Sequence, residues 1–209
     1  MKTELNVLDQ TNILLVKGAF SEEECVEIAD AILKYKDNPA DKDTIAINNG
    51  LWSGHPHQHN GFALPLTQII IAKLKDACSL YYDSMATPSN ITRTREHKSI
   101  SREEWDMMMW AGVTPPGSEN REHTHTNSFI SGTVYFQAEG TGTIEFMPYN
   151  YVYRTMLPQW PYYGTATYEP EDGDILLFPS YLLHKVERNT SEFERVNISF
   201  NVIPMIGPA

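Results

Sequence analysis

The sequence predicts a mainly β protein with flanking helices, a β-sandwich or open barrel with two N-terminal helices buttressing one sheet. Three observations predict it. Helical periodicity is confined to the first 90 or so residues. After about residue 104 the pattern changes to short apolar or alternating runs. Glycine, proline and Asn/Ser/Thr clusters separate those runs, as they separate strands.

In chain order, "NILLV" (12–16) reads as a first short strand. "SEEECVEIADAILKYKDN" opens with Ser21 and Glu24 in capping-box spacing and then repeats apolar residues at Ile28, Ala31, Ile32 and Tyr35, an amphipathic helix. A second helix follows in "LPLTQIIIAKLKDACSLYYDSM", where Leu66, Ile69, Ile70, Leu74, Ala77 and Tyr81 keep helical spacing behind Pro65. The strand candidates are "EWDMMMWAGV", "SFISGTVYFQ", "GTIEFMPY", "GTATYEP", "GDILLFPS", "HKVERN" and "RVNISFNVI". "DILLF" has the look of a strand buried on both faces, ended by Pro179. The last strand alternates cleanly: Val196, Ile198, Phe200 and Val202 make one face, and Arg195, Asn197, Ser199 and Asn201 the other.

Two connections stand out. "VTPPGSENRE" holds too many turn-formers for regular structure and reads as a loop at the rim of a site. "MPYNYVYRTMLPQWPYYG" (147–164) carries six Tyr and Trp residues, enough to line a substrate groove, make an oligomer contact or fold back as a satellite cluster.

A chain of 209 residues forms one core of good size, so a single domain over 1–209 is the expectation. The 16 Lys plus Arg against 27 Asp plus Glu give a formal charge of −11, which argues against nucleic acid as a partner because phosphate binding needs clustered positive charge. The polar start "MKTELNVLDQ" and the lack of any run near the roughly 20 apolar residues of a membrane span predict a soluble protein without membrane partners. Cys25 and Cys78, both within predicted helices, fit reduced packed thiols and a cytoplasmic setting.

The chemistry concentrates in histidines. In "REHTHTNSFISGTVYF", His123 and His125 stand two apart ahead of a strand-like run, on one face if that segment is extended, an arrangement that suits a metal ion. His184 begins the strand after Pro179 and so also sits at a strand edge. Arg195 and Ser199 are cofacial and could clamp a carboxylate, the guanidinium offering a planar fork and the hydroxyl a third donor. The same face could equally be an ordinary solvated one. A second cluster, His55, His57 and His59 in "SGHPHQHNGF", has comparable spacing but lacks an apolar strand to hold the rings and reads as a loop.

"HTHTNSFISGTVYF", "GTIEF", "GDILLFPSYLLHKV" and "ERVNISFN", collinear over roughly residues 105–203, resemble the Fe(II)- and 2-oxoglutarate-dependent oxygenases, in particular the prolyl-hydroxylase-like branch. The resemblance implies a double-stranded β-helix (jelly roll), with a core over about 104–205 and helical support over about 1–95. It implies one Fe(II) held by His-x-Asp/Glu and a distal His, with 2-oxoglutarate as cosubstrate chelating it. His123 matches the first ligand and His184 the distal one. Arg195 matches the residue that pairs with the cosubstrate's far carboxylate, Ser199 its hydroxyl partner, and Tyr135 a further donor to that carboxylate, with Asn197 on the same face. The chain departs from the family at the middle ligand, where His125 replaces the carboxylate. Either three imidazoles hold the metal, or His125 stays out and water completes the shell, or a carboxylate such as Glu122 or Glu145 comes in.

The reading is an oxygenase that converts 2-oxoglutarate to succinate and CO2 while hydroxylating a small-molecule or peptide substrate. Its rivals are a cupin-type three-His metalloenzyme without keto acid and a non-enzymatic jelly-roll binding module. Cupins add a Glu four or five residues after the His-x-His, where this chain has Phe129 and Ile130.

Overall fold

The computed structural model describes residues 11–36, 45–46, 52–54, 66–84, 105–147 and 165–204. The histidine cluster at 55–59 and nearly all of the aromatic connection at 147–164 lie outside them.

The elements run β1 (Leu14–Val16), α1 (Glu22–Lys36), β2 (Ile45–Ala46), β3 (Trp52–Gly54), α2 (Thr67–Ser84), β4 (Trp105–Thr114), β5 (Asn120–His123), β6 (Ile130–Gln137), β7 (Ile144–Met147), β8 (Ala166–Tyr168), β9 (Ile175–Pro179), β10 (Leu183–Val186) and β11 (Arg195–Pro204). They form two antiparallel sheets, one of seven strands in the order β1-β9-β6-β11-β4-β3-β2 and one of four in the order β5-β10-β7-β8. This is the predicted jelly roll.

Period-2 alternation gives each long strand of the large sheet two jobs. Met109, Ala111 and Val113 of β4, Ile130, Val134 and Phe136 of β6, Ile175 and Leu177 of β9, and Val196, Ile198, Phe200 and Val202 of β11 pack with the helices in one apolar core. The helices meet them with Cys25, Ile28, Ala29 and Ile32 of α1 and Ile70, Leu74, Ala77, Cys78 and Tyr81 of α2. A smaller core between the sheets takes Tyr135, Leu176 and Phe178 from the large sheet and Ile144 and Phe146 from the small one. The expected buttress is therefore present. Ile69, expected on the buried stripe of α2, is 41% exposed because it lies to one side of the row through Ile70, Leu74, Ala77 and Tyr81.

The helices are fastened locally. Ser21 and Glu24 form the capping box, with the Ser21 amide donating to Glu24 Oε2 at 2.8 Å and the Glu24 amide to Ser21 Oγ at 3.3 Å. Lys73 of α2 pairs with Glu24 at 2.7 Å, tying the two helices together. Ahead of β9, Gly173 has φ 86°, and a Cβ there would meet the Phe20 carbonyl oxygen at 2.5 Å. Only glycine fits that turn. Both cysteines are buried free thiols, and no described helix is long and apolar enough to cross a membrane.

One expectation is corrected. The stretch "NRE", read as loop, belongs to β5, because Asn120 and His123 pair with Val186 and His184 of β10. A polar edge strand without alternation carries no periodic signal, so only its partner reveals it.

Candidate metal centre

His184 lies in β10 between β5 and β7, paired with His123 on one side and Phe146 on the other. Directly opposed residues share a face, which brings the His123 and His184 rings to 4.2 Å between centroids. Both rings are oriented by the carbonyl two residues earlier: Nδ1 of His123 lies 2.7 Å from Arg121 O, and Nδ1 of His184 lies 2.8 Å from Leu182 O. A carbonyl can only accept, so each Nδ1 carries a proton, which leaves Nε2 as the nitrogen available to a metal.

His125 arrives differently. β5 ends at His123, so the two histidines do not share a regular strand face as expected. Instead the His125 amide donates to Ser180 O at 2.9 Å, and Asn127, with φ 61°, turns the chain toward β6. This places the His125 ring parallel to that of His184, with the two Nε2 atoms 3.3 Å apart. Trp110 stacks on His125 at 5.9 Å, and Phe178 meets His184 edge-on at 4.6 Å.

One donor nitrogen from each of His123, His125 and His184 lies within 4.8 Å of the others. An ion with bonds of about 2.1 Å holds neighbouring donors about 3 Å apart, close to the His125–His184 spacing. Burial, reinforced by the nearby His123 charge, pulls the pKa of His184 down to about 3 and that of His125 down to about 4. Both are therefore neutral at pH 7, the form that ligates. Of the two carboxylates considered from sequence, Glu145 pairs with Lys185 at 2.8 Å and Glu122 is exposed. Neither joins the group.

The same cavity, of about 80 Å³, is also lined by Arg195, Asn197, Ser199 and Tyr135. Arg195 is 2% exposed and donates to Thr141 O at 3.1 Å, and no carboxylate among the described residues pairs with it. Burial holds its pKa below the usual arginine range and pushes that of Tyr135 up to about 12, so the phenol stays a neutral donor. Asn197 Nδ2 donates to Thr133 Oγ1 at 3.2 Å and to Ser199 Oγ at 2.9 Å.

All seven residues singled out from sequence thus line one cavity. Sequence reasoning missed Trp110, Phe178 and Thr133, which line it too. Thr133 could have been found by alternation from Tyr135. Trp110 and Phe178 were masked by runs that read as plain core.

Residues 108–201 match the family described as "Putative 2OG-Fe(II) oxygenase". No curated protein matches the sequence. Among solved structures, a prolyl-4-hydroxylase from Pseudomonas putida is similar with TM-score 0.57 and 14% identity, covering 92% of each chain. AviO1 from Streptomyces viridochromogenes Tue57 has TM-score 0.64 and 10% identity over 95% of this chain and 92% of that one. HygX from Streptomyces hygroscopicus, solved with nickel and 2-oxoglutarate bound, has TM-score 0.56 and 13% identity over 94% and 84%. Residues 108–201 thus carry a family-level link to the Fe(II)- and 2-oxoglutarate-dependent oxygenases, and the solved structures share the double-stranded β-helix fold.

Proposed function

We propose that the protein is a non-haem Fe(II)- and 2-oxoglutarate-dependent oxygenase that hydroxylates a small molecule or peptide. His123, His125 and His184 hold the metal, and Arg195, with Ser199, Tyr135 and Asn197, receives the far carboxylate of the keto acid. The observation that carries this reading is the Arg195 guanidinium, buried in the same cavity as three converging imidazoles and lacking a carboxylate partner among the described residues. A buried charge without a counter-ion is costly, and an anionic ligand offsets that cost.

The donor set fits a borderline divalent ion, since imidazole suits iron, nickel, copper and zinc alike. When bound, the metal and keto acid supply oxygen activation: one O2, one 2-oxoglutarate and one C–H bond give an alcohol, succinate and CO2. The chain's own part is to orient both groups and to exclude bulk water with the walls of Trp110 and Phe178.

The test is release of succinate from 2-oxoglutarate by the Fe(II)-loaded protein under air. We expect metal-dependent release that is lost in Arg195→Leu and His184→Ala. A protein that binds iron but neither binds nor consumes 2-oxoglutarate would support the three-His cupin-type alternative, which the all-imidazole set otherwise fits.

A further inference from the structure

The inner face of β11 is flanked by β6 on one side and β4 on the other. Ser199 lies opposite Thr133 and Trp110, and Asn197 opposite Tyr135 and Gly112. A side-chain amide has two hydrogens, and Asn197 commits both within this face, one to Thr133 Oγ1 at 3.2 Å and one to Ser199 Oγ at 2.9 Å. A hydroxyl that accepts along one direction must send its single hydrogen along another. Thr133 and Ser199 line the cavity together with Arg195 and Tyr135, so the hydrogens turned away from Asn197 have that cavity to donate into. Gly112 makes room for the other half of the amide. A Cβ at Gly112 would lie 2.9 Å from Asn197 Oδ1, so the oxygen occupies space that any larger residue would take. Were the amide reversed, its oxygen would accept from both hydroxyls and draw their hydrogens out of the cavity.

Resting on the reading of Arg195 as the seat of the keto acid's far carboxylate, we propose that Asn197 is a positioning residue for that carboxylate. By donating to Thr133 and Ser199, it turns both hydroxyls into donors toward the cavity. An ionised carboxylate can only accept, so each inward hydrogen adds to its binding, whereas an inward lone pair would repel it. The surroundings of Arg195 thereby select an ionised carboxylate over an uncharged group. Asn197 takes its share in receiving the carboxylate through the two hydroxyls and not by its own contact.

The experiment measures binding to the Co(II)-loaded protein by calorimetry without oxygen. It compares 2-oxoglutarate with 2-oxopentanoate, which keeps the keto-acid head and lacks the far carboxylate. Asn197→Ala is expected to weaken 2-oxoglutarate roughly tenfold and to leave 2-oxopentanoate and Co(II) within about twofold of wild type. A general structural role would move all three. Asn197→Asp, whose oxygens can only accept, should lose more than the alanine variant, and wild-type binding of 2-oxoglutarate by it overturns the proposal. A mutant cycle decides whether Asn197 acts through the hydroxyls. In a Thr133→Val/Ser199→Ala background, Asn197→Ala should change 2-oxoglutarate affinity by less than about twofold. Equal losses in both backgrounds, or no loss in the wild-type background, overturn the proposal. Should Asn197→Ala fail to fold, Gly112→Ala keeps the amide but displaces it, and should give the same selective loss; unaltered 2-oxoglutarate affinity there overturns the proposal as well. Wild type separates this proposal from its foundation. If it binds 2-oxopentanoate as tightly as 2-oxoglutarate, Arg195 does not receive the carboxylate and the underlying reading falls with the proposal; if wild type discriminates and Asn197→Ala discriminates equally, only the role of Asn197 fails.

Discussion

The two faces of β11 have opposite chemistry, although they come from the same ten residues. On the helix side, Val196, Ile198, Phe200 and Val202 are all at most 1% exposed and pack in the apolar core with the helices. On the inner side, Arg195, Asn197 and Ser199 line the cavity, and Asn201 Oδ1 accepts a hydrogen bond from Ser131 Oγ at 2.7 Å. One face secures the strand by hydrophobic burial, and the other is thereby free to carry groups that would not stabilise a fold alone. The small sheet repeats the division at His184, which points inward, and Lys185, which pairs outward with Glu145. If this division is real, substitutions on the two faces should separate stability from ligand binding.

The largest stability effect is expected at Phe200. Phe200→Ala removes a fully buried ring and should cost about 3–5 kcal/mol of unfolding free energy by denaturant titration. Any loss of metal binding should then follow unfolding alone.

Arg195→Leu is the reverse experiment. Unfolding free energy should hold or rise, because a buried cation without a counter-ion is replaced by an apolar group. Binding of 2-oxoglutarate should weaken by about 2–5 kcal/mol in calorimetry, with metal affinity near wild type.

His125→Asp converts the departure from the family pattern into the pattern itself. Metal and keto acid should both be retained, and the Fe(III)/Fe(II) potential of the loaded protein should fall, because an anionic ligand favours the more highly charged ion. Voltammetry checks the sign, and an unchanged potential would argue that His125 is not bound to the metal.

Ser21→Ala should have the smallest effect, about 1 kcal/mol of stability from loss of the capping box, with no change in metal or keto-acid affinity. A change in either affinity would show that the helices do more than support the sheet.

Periodicity made most of this architecture legible. Helical spacing located α1 and α2, and alternation assigned both faces of β11, so Arg195 and Ser199 could be placed together before any geometry was known. Three kinds of feature were not legible. β5 is polar and defined only by its pairing with β10, so its residues looked like loop. His125 reaches the cluster through a bond to Ser180, a tertiary contact that no local pattern encodes. A hydrogen-bonded chain of Ser180, Ser131 and Asn201 joins three separate strands and turns, and each member alone reads as an unremarkable polar residue.

The central claim is that one cavity holds a metal at its three histidines and a keto acid at Arg195. Anaerobic titration of the protein with Fe(II) and then 2-oxoglutarate tests it most directly. The account predicts a visible metal-to-ligand charge-transfer band that saturates at one equivalent and does not form when succinate replaces 2-oxoglutarate. Stoichiometric iron binding with no such band at saturating 2-oxoglutarate would contradict it.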